Sequence, residues 1–246
     1  MAEFNTMRAT TSAQSTLIDE GLRAHMNKVY GLMAGGMAIT GVVAWLLATM
    51  AVGPDGQLSQ LGVAIYTTPL KWVLMFAPLL VVFAFSATLH KMTVSTAQMV
   101  FLGYSALMGA SLSSIFLVFT GMSIAQTFLV TAIAFAGLSL YGYTTKRNLT
   151  AFGSFLMMGL IGLIVASIVN IFLQSSAMQF AISVIGVLLF AGLTAYDTQN
   201  IKNTYLQMAN SDSEFLGKAA IMGALQLYLD FINLFMFLLQ FLGDRR

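Results

Sequence analysis

Seven runs of apolar residues, each about twenty long and set apart by short polar breaks, organise the chain. A helix needs about 20 mainly apolar residues to cross a bilayer. The runs Tyr30–Val52, Trp72–Leu89, Met99–Phe119, Ile124–Tyr143, Phe152–Leu173, Met178–Tyr196 and Ala219–Leu242 reach that length. The pattern therefore predicts an all-α membrane protein, a bundle of seven transmembrane helices. A β-barrel is excluded, because barrel strands alternate apolar and polar positions and these runs do not. The breaks are turn-like: Thr120-Gly-Met-Ser123, Thr144-Thr-Lys-Arg-Asn148 and Gln174-Ser-Ser176. Pro54 and Pro69 mark the first connection. Pro78 falls inside the second run, where neighbouring helices can satisfy the freed carbonyl. Gln57 to Thr68 reads as an apolar-leaning loop that dips into the membrane interface. No internal repeat is evident, which disfavours an inverted-repeat transporter.

The chain divides into a polar N-terminal tail (1–29), the seven-helix domain (30–242) and a short C-terminal tail (243–246). The first apolar run starts too late and lasts too long for a cleaved secretory signal. Ser15 to Lys28 is amphipathic, suited to lying on the membrane surface or to leading into the first helix.

The distribution of charge orients the bundle. If the N-terminus is cytoplasmic, Arg8, Arg23, Lys28, Lys91, Lys146, Arg147, Lys202 and Lys218 lie on the inner side. Lys71, Arg245 and Arg246 then lie on the outer side. Basic residues favour the cytoplasm, so this ratio predicts the N-terminus inside and, with seven spans, the C-terminus outside. Composition agrees with a membrane protein: 8% of the 246 residues are charged, against about 25% in soluble domains. A net charge of +2 gives no reason to expect nucleic acid as a partner. The absence of cysteine excludes disulfides, thiolate metal sites and cysteine nucleophiles.

In lipid, helices pack through small residues and interhelical polar contacts. Gly31-xxx-Gly35 with Gly36 forms such a seam on the first helix. Gly103, Ala106, Ala110 and Ser113–Ser114 form one on the third, and Gly159, Gly162, Ala166 and Asn170 one on the fifth. The seventh helix differs. Gly223, Gln226, Asp230, Asn233, Phe237 and Gln240 recur at steps of three and four, a polar stripe on one face. A stripe of that kind belongs inside the bundle, so the seventh helix is expected at the centre with the other six around it.

Two acids fall in or beside predicted spans: Asp197 at the end of the sixth and Asp230 in the middle of the seventh. An Asp at a helix centre costs about 2.5–3.5 kcal/mol on insertion scales, which makes each a functional candidate. A purely structural role, bonding hydroxyls or amides of neighbouring helices, is the alternative for both. The sixth and seventh helices should be antiparallel neighbours, yet these spans place Asp197 at the membrane edge and Asp230 near its middle. If the two meet, they cannot both ionise readily. At about 4 Å and an effective dielectric of about 20, their repulsion is roughly 4 kcal/mol. Such a pair shares a proton and titrates as a unit. Loss of that proton adds repulsion that parts helices or admits a cation. Ca²⁺ prefers oxygen ligands, which the two carboxylates and the amides of Gln226 and Asn233 supply. No tightly bound cofactor is expected.

The segments carrying these acids, Ala195-Tyr-Asp-Thr-Gln-Asn-Ile-Lys202 and Gly223-Ala-Leu-Gln-Leu-Tyr-Leu-Asp-Phe-Ile-Asn-Leu-Phe235, resemble C-terminal signatures of the Bax inhibitor-1 family, in particular its bacterial, YccA-like branch. Ile18-Asp-Glu-Gly-Leu-Arg23, Tyr104 to Ser114 and Ser139 to Arg147 add to the resemblance, which covers the chain from about residue 18. It implies a seven-helix fold with the last helix wrapped by the others, in an inner membrane. It also implies a pH-sensitive Ca²⁺ leak in which Asp197 and Asp230 pair near the cytoplasmic mouth. Bacterial relatives are further implied to associate with the membrane protease FtsH. Some relatives use a charged residue in the second helix; here that helix offers only His90 and Lys91 at its end.

Enzymatic readings fit less well. Tyr196-Asp197 matches half of a presenilin-type aspartyl protease, but Leu227-Tyr-Leu-Asp230 stands where Gly-x-Gly-Asp is needed. Gly109-Ala-Ser111-Leu lacks the second Gly of a rhomboid protease, and the seventh helix has no Lys for retinal. The expectation is a non-enzyme. The serious alternative to a channel is a membrane regulator that binds an FtsH-type protease.

Overall fold

The computed structural model describes residues 18–53, 55–209 and 211–246 in full, and residues 2–17 as backbone only. The side chains of the first seventeen residues, including Arg8 and the start of the amphipathic segment, and Pro54 lie outside the described residues. The fold is all-helical: α1 (Ala2–Ala51), α2 (Gln60–Tyr66), α3 (Leu70–Thr88), α4 (Val94–Leu112), α5 (Ile115–Val118), α6 (Gly121–Thr144), α7 (Thr150–Leu173), α8 (Ser176–Met208) and α9 (Ser213–Leu242). A 3₁₀ turn, Leu89–Lys91, prolongs α3. Seven of these segments are long and apolar enough to cross a membrane, with α4 and α5 counted as one span broken at Ser113–Ser114.

Hydroxyl side chains start the spans where the polar breaks stood. Thr93, Thr120 and Ser175 cap α4, α6 and α8 by accepting from the amides of Thr96, Ser123 and Met178, which satisfies donors that a helix start leaves free. Asp212 does the same for α9, accepting from Phe215. Gln174 ends α7 in the left-handed conformation, at φ 47°. The loop expected over Gln57–Thr68 contains the short helix α2, which packs against α1 and α3 with Leu61 and Val63 exposed.

The helix α9 is the most enclosed. Of its most apolar stretch 61% is buried, against 17–39% in the other six spans. It packs chiefly on α8, α1, α6 and α4, while α3 leans on α4 and α7 on α8. Two apolar cores result. The larger runs through Met33, Phe101, Tyr104, Phe135, Ile221, Tyr228 and Phe231; the smaller joins α7, α8 and α9 through Leu156, Leu189, Phe190 and Leu234.

The small-residue seams hold in part. Gly36 faces Phe101 and Ser105 and Gly159 faces Leu189, while Gly109, outside the expected seam, faces the Thr40 backbone. By contrast Gly31, Gly35, Gly103 and Gly162 have nothing within 4 Å of where a Cβ would stand. They face outward, so those four positions are not packing contacts within the chain.

Candidate functional site

The helix α8 does not stop at Tyr196 but runs twelve residues further, to Met208. Asp197 therefore sits well inside a helix rather than at its frayed end. The helix α9 likewise starts at Ser213, six residues before Ala219. Both changes correct the depths expected from hydropathy alone. Ile201 of α8 lies against Gly223 of α9, so Asp197, four residues back, is level with Leu227, four residues on. Asp230 stands three residues beyond that level, about 4.5 Å along the axis. In a helix the side chain leans towards its own N-terminus. The two helices are antiparallel, so Asp197 and Asp230 lean towards each other across that gap. The two carboxyl groups are direct neighbours.

The pair is enclosed. Asp230 is 5% exposed and Asp197 half-buried. Asp230 Oδ2 has no hydrogen-bond partner in the structure. Two ionised carboxylates are acceptors only, so they bond to each other only when one carries a proton. The supporting stripe contributes unequally. Asn233 donates its amide to the Leu229 carbonyl of its own helix, 2.8 Å away. Gln226 is half-buried one turn before Asp230. Gln240 lies near the far end of α9 and accepts from Gln179 at 2.8 Å and Ser183 at 3.3 Å. Among the described residues no group of three or more His, Asp or Glu converges. The site is a two-carboxylate site, below the six to eight oxygens of a tight Ca²⁺ cage.

Neighbouring residues fix both acids in place, and most of these were not singled out by the sequence pattern. Gly142 of α6 lies against the backbone of Ala195, where a Cβ would collide with the Ala195 carbonyl. This close approach lets Ser139 bond Thr198, 2.9 Å away, and Tyr30 of α1 bond Ser139 at 2.6 Å. Gln199 accepts from the Leu149 amide at 2.8 Å and donates to the Arg147 carbonyl at 2.7 Å. Lys202 donates to the Tyr143 carbonyl at 2.6 Å. The polar run from Asp197 to Lys202 is thus tied to α6 and to the α6–α7 connection. On α9, Tyr228 bonds Thr40 at 2.7 Å and the Phe231 ring packs at a tilt against Phe128 and Phe135. A polar run following an apolar span was the signal in the sequence, but its partners lie 50 or more residues away.

The chain matches the family model described as inhibitor of apoptosis-promoting Bax1 over residues 22–246. It is 47% identical over 227 residues to the inner membrane protein YbhL of Escherichia coli K12, covering 92% of this chain and 94% of that protein. It is 46% identical to the uncharacterized protein RP147 of Rickettsia prowazekii, covering 98% of each. An uncharacterized protein of Caulobacter vibrioides is 49% identical, over 93% of this chain and 92% of its own length.

Proposed function

The chain belongs to the Bax inhibitor-1 family of multi-pass membrane proteins, and on that premise we propose that it is a pH-sensitive calcium leak of the inner membrane, gated by the proton shared between Asp197 and Asp230. One observation carries the reading: an enclosed carboxylate of the central helix abuts a second carboxylate while its Oδ2 stays without a partner. With one proton between them the acids hold α8 and α9 together. When that proton leaves, two negative charges face each other in a low-dielectric site. The charge drives the helices apart or draws in a cation. Ca²⁺ is the permeant ion; two carboxylates with Gln226 and Asn233 one turn away suit transit rather than tight retention. The positive-inside distribution supports a cytoplasmic N-terminus, and the name of the Escherichia coli relative supports the inner membrane.

The test is calcium flux into proteoliposomes at several pH values, with Asp197→Asn and Asp230→Asn beside the parent. Flux that rises with pH in the parent, and loses that response in both variants, is the expected result. No flux from the parent, or an unaltered pH response in the variants, overturns the reading. Absent flux with retained binding to an FtsH-type protease would point instead to a membrane regulator.

A further inference from the structure

A cleft of about 700 Å³ runs between α1 and α6, within the range of about 300–1,000 Å³ typical of small-ligand sites. Its two ends differ in chemistry. At one end stand Arg23 and Asn27 of α1 and Tyr143 of α6. The Lys202 ammonium lies over the Tyr143 ring, 5.6 Å from its centre, and Lys146 and Arg147 follow directly after α6. At the other end the lining is apolar, with Met33 and Phe135 buried and Ala34 and Ala136 on the open walls. Arg23 is exposed, and the one ion pair among the described residues is Lys218 with Glu214. Asp19 and Glu20, a turn earlier on α1, form no ion pair with it. Arg23 precedes Tyr30, where the apolar part of α1 begins, by seven residues, about 10 Å. That places it at headgroup depth.

The geometry points to a binding site for an anionic phospholipid, with one acyl chain in the apolar end of the cleft and the phosphate against Arg23. Basic pockets between transmembrane helices bind such headgroups. Here a positive mouth opens directly onto an apolar interior, which matches the amphipathic order of a phospholipid. A free phosphate would use only the mouth. The site goes beyond the proposed ion leak and does not depend on it. Its inner boundary is the Tyr30–Ser139 bond, so an occupied cleft props α1 and α6 at a fixed spacing beside the helix that carries Asp197.

Native mass spectrometry of the full chain in detergent tests the site, with dioleoyl phosphatidylglycerol and dioleoyl phosphatidylcholine titrated separately. The first phosphatidylglycerol is expected to bind about fivefold more tightly than the first phosphatidylcholine, the contribution of about one basic side chain. Arg23→Gln abolishes that preference, weakening phosphatidylglycerol more than phosphatidylcholine. Ala136→Trp fills the cleft and weakens the first-site binding of both lipids, with helix content and melting temperature as controls. Should that variant misfold, Ala34→Trp on the opposite wall replaces it. Equal affinity for the two lipids in the parent overturns the site. So does a preference that survives Arg23→Gln, or lipid binding unaffected by the folded tryptophan variant.

Discussion

Ile201 of α8 lies flat against Gly223 of α9, one turn from Asp197 and two turns from Asp230, and sets how closely the helices that bear the acids approach. A Cβ at position 223 would stand 3.1 Å from Ile201 side-chain atoms, so a methyl there needs Ile201 to give slightly and a large side chain forces the helices apart. Gly223→Leu is expected to cost about 1–3 kcal/mol through overpacking, read as a lower melting temperature in detergent. If the proposed gate is right, the parted acids no longer hold α8 to α9, and flux at acidic pH rises towards its alkaline level. Gly223→Ala should show both effects in weaker form. A Gly223→Leu variant that melts with the parent and keeps its pH response would contradict this.

The seven spans were legible because lipid imposes one requirement on every membrane helix, about twenty apolar residues in a row. The same requirement hid the ends. Asp197-Thr-Gln-Asn-Ile-Lys202 reads as a solvated helix end by hydropathy, yet Thr198, Gln199 and Lys202 find partners on α6 and the α6–α7 connection, so α8 continues past the apolar stretch. Whether the two acids meet stayed open in the sequence, because their relative depth depends on that continuation. Small residues misled in the opposite way. Gly36 packs while Gly31 and Gly35 do not, because spacing alone does not tell which side of a helix faces a neighbour.

Exchange of one acid for its amide isolates what their contact costs. Asp197→Asn keeps the shape and supplies a donor to Asp230, so the contact no longer needs a shared proton. Asp197→Leu removes the partner and leaves an enclosed carboxylate alone. Leaving such a group uncompensated costs about 3–5 kcal/mol when it is charged and buried. At alkaline pH the amide variant is expected to melt at or above the parent temperature, and the leucine variant below the amide variant. Equal melting of the two variants would show that Asp230 gains nothing from a donor at position 197.

Gln199 is the tie between α8 and the α6–α7 connection, with both ends of its amide engaged at 2.8 and 2.7 Å. It is buried, so Gln199→Leu leaves the Leu149 amide and Arg147 carbonyl without their partners. Each such loss costs about 1–3 kcal/mol where water cannot replace the bond. Hydrogen exchange should report it locally: the Leu149 amide exchanges at least tenfold faster in the variant, while amides in the middle of α9 keep their protection. Uniform loss of protection along the chain would instead mean that the variant unfolds globally.

At the opposite end of the bundle, Gln240 couples α9 to α8 in a chain that continues onto α7. Asn170 donates to Gln179 at 3.1 Å, and Gln179 donates to Gln240 at 2.8 Å. Asn170 also accepts from the Ser175 amide at 3.1 Å, which holds the α7–α8 turn. Interhelical hydrogen bonds in membrane proteins couple by about 0.6 kcal/mol on average and up to about 1.7 kcal/mol. A double-mutant cycle with Gln179→Leu and Gln240→Leu should give a coupling in that range, measured by reversible unfolding in mixed micelles. Each single variant also removes a bond outside the pair: Gln179→Leu loses the Asn170 contact and Gln240→Leu the Ser183 contact. The Asn170 bond is the shorter of the two, 3.1 Å against 3.3 Å, so Gln179→Leu should cost at least as much as Gln240→Leu, and the reverse order would show that the Ser183 contact carries more of the chain's stability.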